Sequence, residues 1–187
     1  MTRFWFVRHG PTHARTMVGW TDLPADLSDT AALARLTAHL PSGAPVISSD
    51  LSRAVATADA LGPRPRLPHD PDLREMHFGQ WETRAFAEIE AEAPEHIRAF
   101  WDTPGDIRPP GGESWNELTA RTWAALDRLQ GRASDLIVVA HFGPIVAALQ
   151  RAEGLSPEAA FAHRIDNLSV TCLTFSPPKV MSINHRP

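Results

Sequence analysis

The stretch Phe4-Trp5-Phe6-Val7, followed at once by Arg8-His9-Gly10-Pro11-Thr12, sets the reading of the whole chain. A short run of aromatic and β-branched residues predicts a buried strand. A buried strand that ends on a guanidinium, an imidazole and a glycine offers a grip for an anion. It places a nucleophile or base at the same point. A second strand of this kind, Leu136-Ile137-Val138-Val139-Ala140, delivers His141. Pro45-Val46-Ile47-Ser48 predicts another, which leads through Ser49 and Asp50 into a helix bearing Arg53 in its first turn.

Helices fill the spaces between these strands. Ser28 is placed to cap a helix that runs to about Leu40, where Pro41-Ser42-Gly43 ends it. Asp50 or Ser49 can cap the next, Leu51 to about Leu61, closed by Gly62-Pro63. Arg66-Leu67 begins a weak third strand. Residues 83–131 read as a long helical excursion broken at Pro94 and between Pro104 and Gly112. After His141 a helix runs to about Arg151, and the tail holds two strands, Ser169–Phe175 and Val180–Ile183, around a Pro177-Pro178 turn. Strands alternating with helices predict an α/β fold: a three-layer sandwich with a mainly parallel sheet covered by helices on both faces. A helical cap is expected as an insertion at about 83–131 within one domain spanning 1–187.

Composition narrows the function. A chain of 187 residues can bury a proper core. Its net charge of −4 argues against a general nucleic-acid or anionic-membrane binder. A single cysteine, Cys172, rules out an intramolecular disulfide, suits a reducing compartment, and reads as a buried structural thiol. The start of the chain lacks a cationic, apolar and cleavage-site sequence, and no apolar run approaches the roughly 18–20 residues that cross a bilayer. A cytoplasmic protein without nucleic-acid or membrane partners is expected. No helix stands out as an interface, so the oligomeric state stays open.

In a parallel sheet, Arg8, His9, Arg53 and His141 fall along one edge, at the carboxyl ends of the strands, where α/β proteins bind ligands. Helix N-termini gather there too and favour phosphate or carboxylate. Each residue alone has an ordinary structural explanation. Their coincidence on one edge favours a phosphate pocket.

The same segments resemble the histidine phosphatase superfamily, in its phosphoglycerate-mutase-like branch. Val7-Arg8-His9-Gly10-Pro11-Thr12 is similar to its signature, and Gly19-Trp20-Thr21-Asp22-Leu23-Pro24 to the loop that follows. Ser48 to Ala54 with Thr57-Ala58 resembles its second arginine motif, and Leu73 to Glu82 its acid-bearing segment. Pro110-Gly111-Gly112-Glu113-Ser114 and Val139-Ala140-His141-Phe142-Gly143 complete the set in family order. The resemblance implies that His9 is a nucleophile becoming phosphohistidine, and that Arg8 and Arg53 grip the phosphoryl oxygens. His141 would stabilise charge on the transferring group, and Glu75 would serve as general acid and then base. Spacing alone does not select Glu75 over Glu82 or Asp72. No metal and no cofactor are expected, and the partner is a small phosphate monoester.

Four positions depart from the family pattern. Pro11 stands where an acidic residue or Gln is common, and Arg15 where many relatives carry a phosphate-contacting Asn. Arg15 either replaces that contact or points to solvent. Phe142 and Thr83 stand where glycine is usual. The implied function is a phosphomonoesterase. The alternatives are a phosphoglycerate mutase and a non-catalytic phosphate binder, which would typically lack the nucleophile or the acid. Trp81, Phe86, Trp101 and Trp115 either stack on a substrate ring or fill the cap's own core, and core packing is expected for most. Arg74, His77, Arg15 and Arg84 are candidates for reading a second anionic group.

Overall fold

The computed structural model describes all 187 residues. Its centre is a five-stranded sheet in the order β2-β3-β1-β4-β5. The strands are β1 (Arg3–Arg8), β2 (Val46–Ser48), β3 (Asp135–Ala140), β4 (Val170–Phe175) and β5 (Pro178–His185). β1 and β2 each pair parallel with β3, β4 pairs antiparallel with β1, and β5 antiparallel with β4. Four strands therefore run one way and β4 alone opposes them, so the sheet is mixed but mostly parallel. The tail strands form a hairpin turned by Ser176-Pro177. Pro178 already belongs to β5, which is longer than its sequence predicts. Arg66 makes only an isolated bridge to Val46, so the weak strand expected there does not form.

The alternation along β1 and β3 builds two hydrophobic layers. Phe4, Phe6, Leu136, Val138 and Ala140 face helices α5 (Trp115–Leu129) and α6 (Phe142–Glu153). Val7, Ile137 and Val139 face the opposite way, onto Leu36 of α1 (Thr30–His39) and Ala54 and Ala58 of α2 (Ser52–Asp59). Helices on both faces explain why the central strands are apolar without a break. Within residues 83–131, α5 lies along α6 and gives Leu118, Ala125, Leu126 and Leu129 to the core. The helices standing outside the two layers are α3 (Phe86–Glu92) and α4 (Pro94–Asp102), which pack on one another. A short helix, α7 (Pro157–Ala160), follows α6.

Two caps differ from expectation for physical reasons. Asp29, not Ser28, caps α1 by accepting from the Ala32 N–H at 2.9 Å, while the Ser28 N–H is turned onto Asp26. Neither Ser49 nor Asp50 caps α2, because Ser49 Oγ engages His141 and the Asp50 carboxylate is held by Arg74. The distant Asp22 accepts the Ser52 N–H instead, at 2.8 Å. Cys172 is buried in β4, as expected, and burial pushes its thiol up to about 11. No helix is long and apolar enough to cross a membrane.

Thr83 sits at φ +62°, in the left-handed region that a β-branched side chain disfavours. Its N–H reaches the Met17 carbonyl and its hydroxyl the Glu82 carbonyl, each at 2.7 Å. Thr83→Gly is expected to stabilise the fold by about 1 kcal/mol, the usual cost of that backbone region. A higher urea midpoint checks this; a lower one would show that the hydroxyl bond outweighs the strain.

Candidate active site

The site begins with the register of the central strands. β1 and β3 pair Arg8 with Ala140, and the ladder continues as the His9 N–H donates to the Ala140 carbonyl at 3.1 Å. Both strands thus stop at one level, and the rings of His9 and His141 lie 4.9 Å apart. The His9 ring bonds through Nδ1 to the carbonyl of Gly10 at 2.6 Å. A carbonyl can only accept, so Nδ1 carries the proton and a neutral ring keeps its lone pair on Nε2. Asn167 and Thr57 fix this corner of the chain: one donates to the His9 carbonyl at 2.8 Å, the other accepts the Gly10 N–H at 2.9 Å. Burial holds the His9 imidazole down to about 3, with the Arg53 and Arg8 charges adding to the effect. The fully buried His141 is likewise lowered well below the usual histidine range by burial, then by His9 and the arginines around it.

Arg8 and Arg53 are buried or half-buried cations that make no ion pair. Burial lowers both guanidiniums, and the nearby Glu75 charge opposes it. Arg8 donates to the Ile165 carbonyl at 2.6 Å, and Arg53 donates to the carbonyls of Gly19 and Thr21 at 2.6 and 2.9 Å. Those carbonyls are held in place by Glu82. Its carboxylate accepts the N–H groups of Gly19, Trp20 and Phe78 and the hydroxyl of Thr21, at 2.7–3.1 Å. Burial works against the Glu82 charge, yet these donors outweigh it and keep the carboxyl below its ordinary range. Of only five buried side-chain atoms without a hydrogen-bond partner in the chain, two are Arg8 Nε and His141 Nδ1. A bare guanidinium N–H and a bare ring nitrogen beside unpaired cations suit an anion.

Glu75 lies on irregular backbone between two short turns, and Arg121 of α5 holds that backbone. Arg121 donates to the carbonyls of Asp72, Arg74 and Glu75, each at 2.8 Å, and its remaining N–H groups engage both oxygens of Glu113. All five of its donors are used. Glu75 Oε1 accepts from the N–H groups of Met76 and Gly143, at 2.9 and 3.0 Å. A Cβ at Gly143 would collide with that oxygen, so glycine is required for the approach. Burial raises the Glu75 carboxyl above the ordinary range, against the pull of the Met76 N–H and of Arg8 and Arg53.

Arg8, His9, Arg53 and Glu75 line one cleft of about 130 Å³, with Thr12, Ala14, Thr16 and Val18 closing it. A groove of about 660 Å³ beside α1 is larger but carries none of these four residues. The sequence model of the histidine phosphatase superfamily (branch 1) matches residues 4–184. The chain belongs to the histidine phosphatase superfamily. It is 34% identical over 170 residues to glucosyl-3-phosphoglycerate phosphatase of Mycolicibacterium vanbaalenii, covering 80% of this chain and 73% of that one. It is 29% identical over 173 residues to adenosylcobalamin/alpha-ribazole phosphatase of Escherichia coli, covering 88% and 85%. The crystal structure of a putative alpha-ribazole-5'-P phosphatase from Escherichia coli superposes with a TM-score of 0.86 at 25% identity, over 99% of this chain and 97% of that one.

Against this family background, the candidate residues fall into three groups. His9, Arg8, Arg53 and Glu75 meet in the cleft. His141 lies behind it, fully buried against His9. Arg15 is exposed and outside the lining, without a hydrogen bond or ion pair, so the structure does not bring it to the others. The loop proline has a partner of its own, since the Pro11 carbonyl accepts the Asp26 N–H at 2.7 Å. Among the four cap aromatics, Trp81 and Trp115 are core residues, Phe86 is exposed, and Trp101 is half-buried. Sequence reasoning missed the grip of Arg121 on the acid segment, which nothing local to Glu75 signals. It also missed Ser49, 2.6 Å from His141 Nε2, and the hold of Glu82 on residues 19–21. For Ser49 and Glu82, their place in a resembling motif was the one available signal.

These shifts set a direction for stability against pH. An unfolded histidine binds its proton near 6.5, whereas folded His9 does so only at about 3. Between those values the unfolded chain holds more protons, so stability falls as pH falls through that window. His141 acts in the same sense. Glu75, raised in the fold, acts oppositely and loses its contribution as pH rises. Thermal midpoints are expected to drop from pH 6.5 downward, and more gently in His9→Gln; an unchanged slope in that variant would count against a buried neutral His9.

Proposed function

We propose that the chain is a phosphomonoesterase for a small phosphorylated metabolite, with His9 as nucleophile and Glu75 as general acid and base. The observation that carries this reading is the His9 tautomer. Gly10 ties down Nδ1, and the ring lines a cleft shared with two unpaired arginines and a raised carboxyl. The relatives are phosphatases of the same superfamily, which supports the reaction class.

The first half-reaction forms a P–N bond from the Nε2 lone pair as the ester P–O bond breaks. Glu75 hands its proton to the leaving oxygen, so an alcohol departs rather than an alkoxide. In the second, the Glu75 carboxylate takes a proton from water while that oxygen bonds to phosphorus. The P–N electron pair returns to Nε2, inorganic phosphate leaves, and Glu75 is protonated again. Arg8 and Arg53 neutralise the equatorial oxygens throughout. Ser49 sets the role of His141. Its hydroxyl, 2.6 Å from His141 Nε2, donates to that nitrogen in this reading, which places the ring proton on Nδ1 as a donor. The arginine pair supplies the positive charge, so the reading calls for no metal ion and predicts phosphate release unchanged by EDTA.

One test reads the fold and the label together. A brief incubation with a labelled phosphate ester should leave phosphate on His9, and His9→Ala should abolish both the label and phosphate release. Interconversion of 3-phosphoglycerate with a bisphosphoglycerate primer, outpacing phosphate release, would overturn the hydrolytic reading. An intact fold that takes no label would point to a binder.

Glu75 and Arg121 can be told from mere structural support by leaving group. Glu75→Gln should cut turnover of alkyl phosphates by about 10²–10⁴-fold. It should affect 4-nitrophenyl phosphate far less, because that leaving group needs no proton. Arg121→Lys should show the same selectivity more weakly. Equal losses on both substrates would mean that neither residue works through proton transfer.

A further inference from the structure

A second, apolar cavity of about 50 Å³ shares Glu75 with the phosphate cleft. Its other walls are Met76, Phe78, Trp101, Trp115, Phe142 and Phe161, with the backbone at Gly143. No hydroxyl, amide side chain or cation faces it. The rings form a preset wall: Trp115 and Phe161 lie 4.5 Å apart, Phe142 and Phe161 6.2 Å, and Trp101 meets Phe161 edge-on at 6.2 Å. Trp101, Phe142 and Phe161 are half-buried, each keeping some surface uncovered. Glu75 bounds both spaces, which puts the proton donor of the phosphate cleft beside these rings.

Charge points the same way. No arginine lines the cavity, and of the two nearest to Glu75 in contact or sequence, Arg121 has spent every donor and Arg74 is paired with Asp50 at 2.6 Å. The Arg8 guanidinium lies 5.8 Å from the Phe142 ring and belongs to the phosphate cleft. A second anionic group on the substrate would find no cation there, and after proton transfer it would meet the Glu75 carboxylate. An unpaired charge in such surroundings is costly, whereas an apolar group gains by leaving water.

We propose that the substrate's leaving group is an uncharged apolar or aromatic alcohol seated against Phe142, Phe161 and Trp101, which set specificity. This rests on the phosphomonoesterase reading above. At about 50 Å³ the cavity has room for a few carbon atoms, such as the end of a short branched chain or one edge of a ring, with no provision for a carboxylate or a second phosphate.

The test compares kcat/KM for benzyl phosphate, glycerol 3-phosphate and 3-phosphoglycerate, all esters of alkyl alcohols, by phosphate release. Benzyl phosphate is expected to lead by about tenfold or more, the scale of a filled apolar pocket. Phe142→Ser and Trp101→Ala should erase that lead chiefly through KM while His9 still takes the label, and Phe142→Leu should keep most of it. Phe142→Arg should turn preference toward 3-phosphoglycerate. Equal or faster hydrolysis of 3-phosphoglycerate by the unaltered protein would overturn the proposal, as would an unchanged preference in both Phe142→Ser and Trp101→Ala. Absence of both label and phosphate release with all three esters would instead sink the phosphomonoesterase reading, and this proposal with it.

Discussion

The parallel pairing of β1 with β3 is the constraint on which everything else rests. It buries Phe4, Phe6, Leu136 and Val138 on one face and Val7, Ile137 and Val139 on the other, and it ends both strands at one level. The two histidines at that edge inherit their juxtaposition from the ladder, not from any attraction between the rings. A slip of one residue would turn every buried side chain to the opposite layer. The core therefore enforces the geometry of the site.

Positions off the sheet are held by polar knots. Glu82 gathers donors from Gly19, Trp20, Thr21 and Phe78, and the loop it fixes turns two carbonyls onto Arg53. Arg121 gathers three carbonyls around Glu75 and closes on Glu113. In each knot the buried charge is nearly saturated with partners, which is the condition under which such a network rigidifies rather than destabilises. Irregular backbone is thereby given the fixity that a helix or strand would have by itself.

The cations of the cleft are arranged the other way. Arg8 and Arg53 keep no carboxylate partner, and His141 Nδ1 and Arg8 Nε are buried without a bond. Such groups are costly in the free protein, and the cost is tolerated where an anion is to be held. The contrast between saturated supporting residues and unsaturated facing ones is what separates the two roles here. Glu82 and Glu75, two carboxylates seven residues apart, differ in just this way: donors hold the first ionised, while burial pushes the second toward its neutral form.

Sequence alone determined what depends on local pattern. The unbroken apolar runs at 4–7 and 136–140 announced strands covered on both sides, and each carried its candidate side chain at its carboxyl end. Arg8, His9 and His141 were legible as candidates for that reason, Arg53 as the first-turn residue of the helix after the strand at 45–48, and Glu75 through its segment's resemblance to a family motif. Tertiary structure decided what depends on partners far along the chain. Ser49 and Asp50 looked like helix caps until His141 and Arg74 claimed them. Arg121 carried no signal in the sequence, and folding brings it onto the segment of Glu75, 46 residues away. Arg15 shared the loop of the cleft yet remained in solvent. Periodicity and strand ends are written in neighbouring residues, whereas the direction of a long polar side chain is set by whichever distant donor or acceptor folding brings within reach.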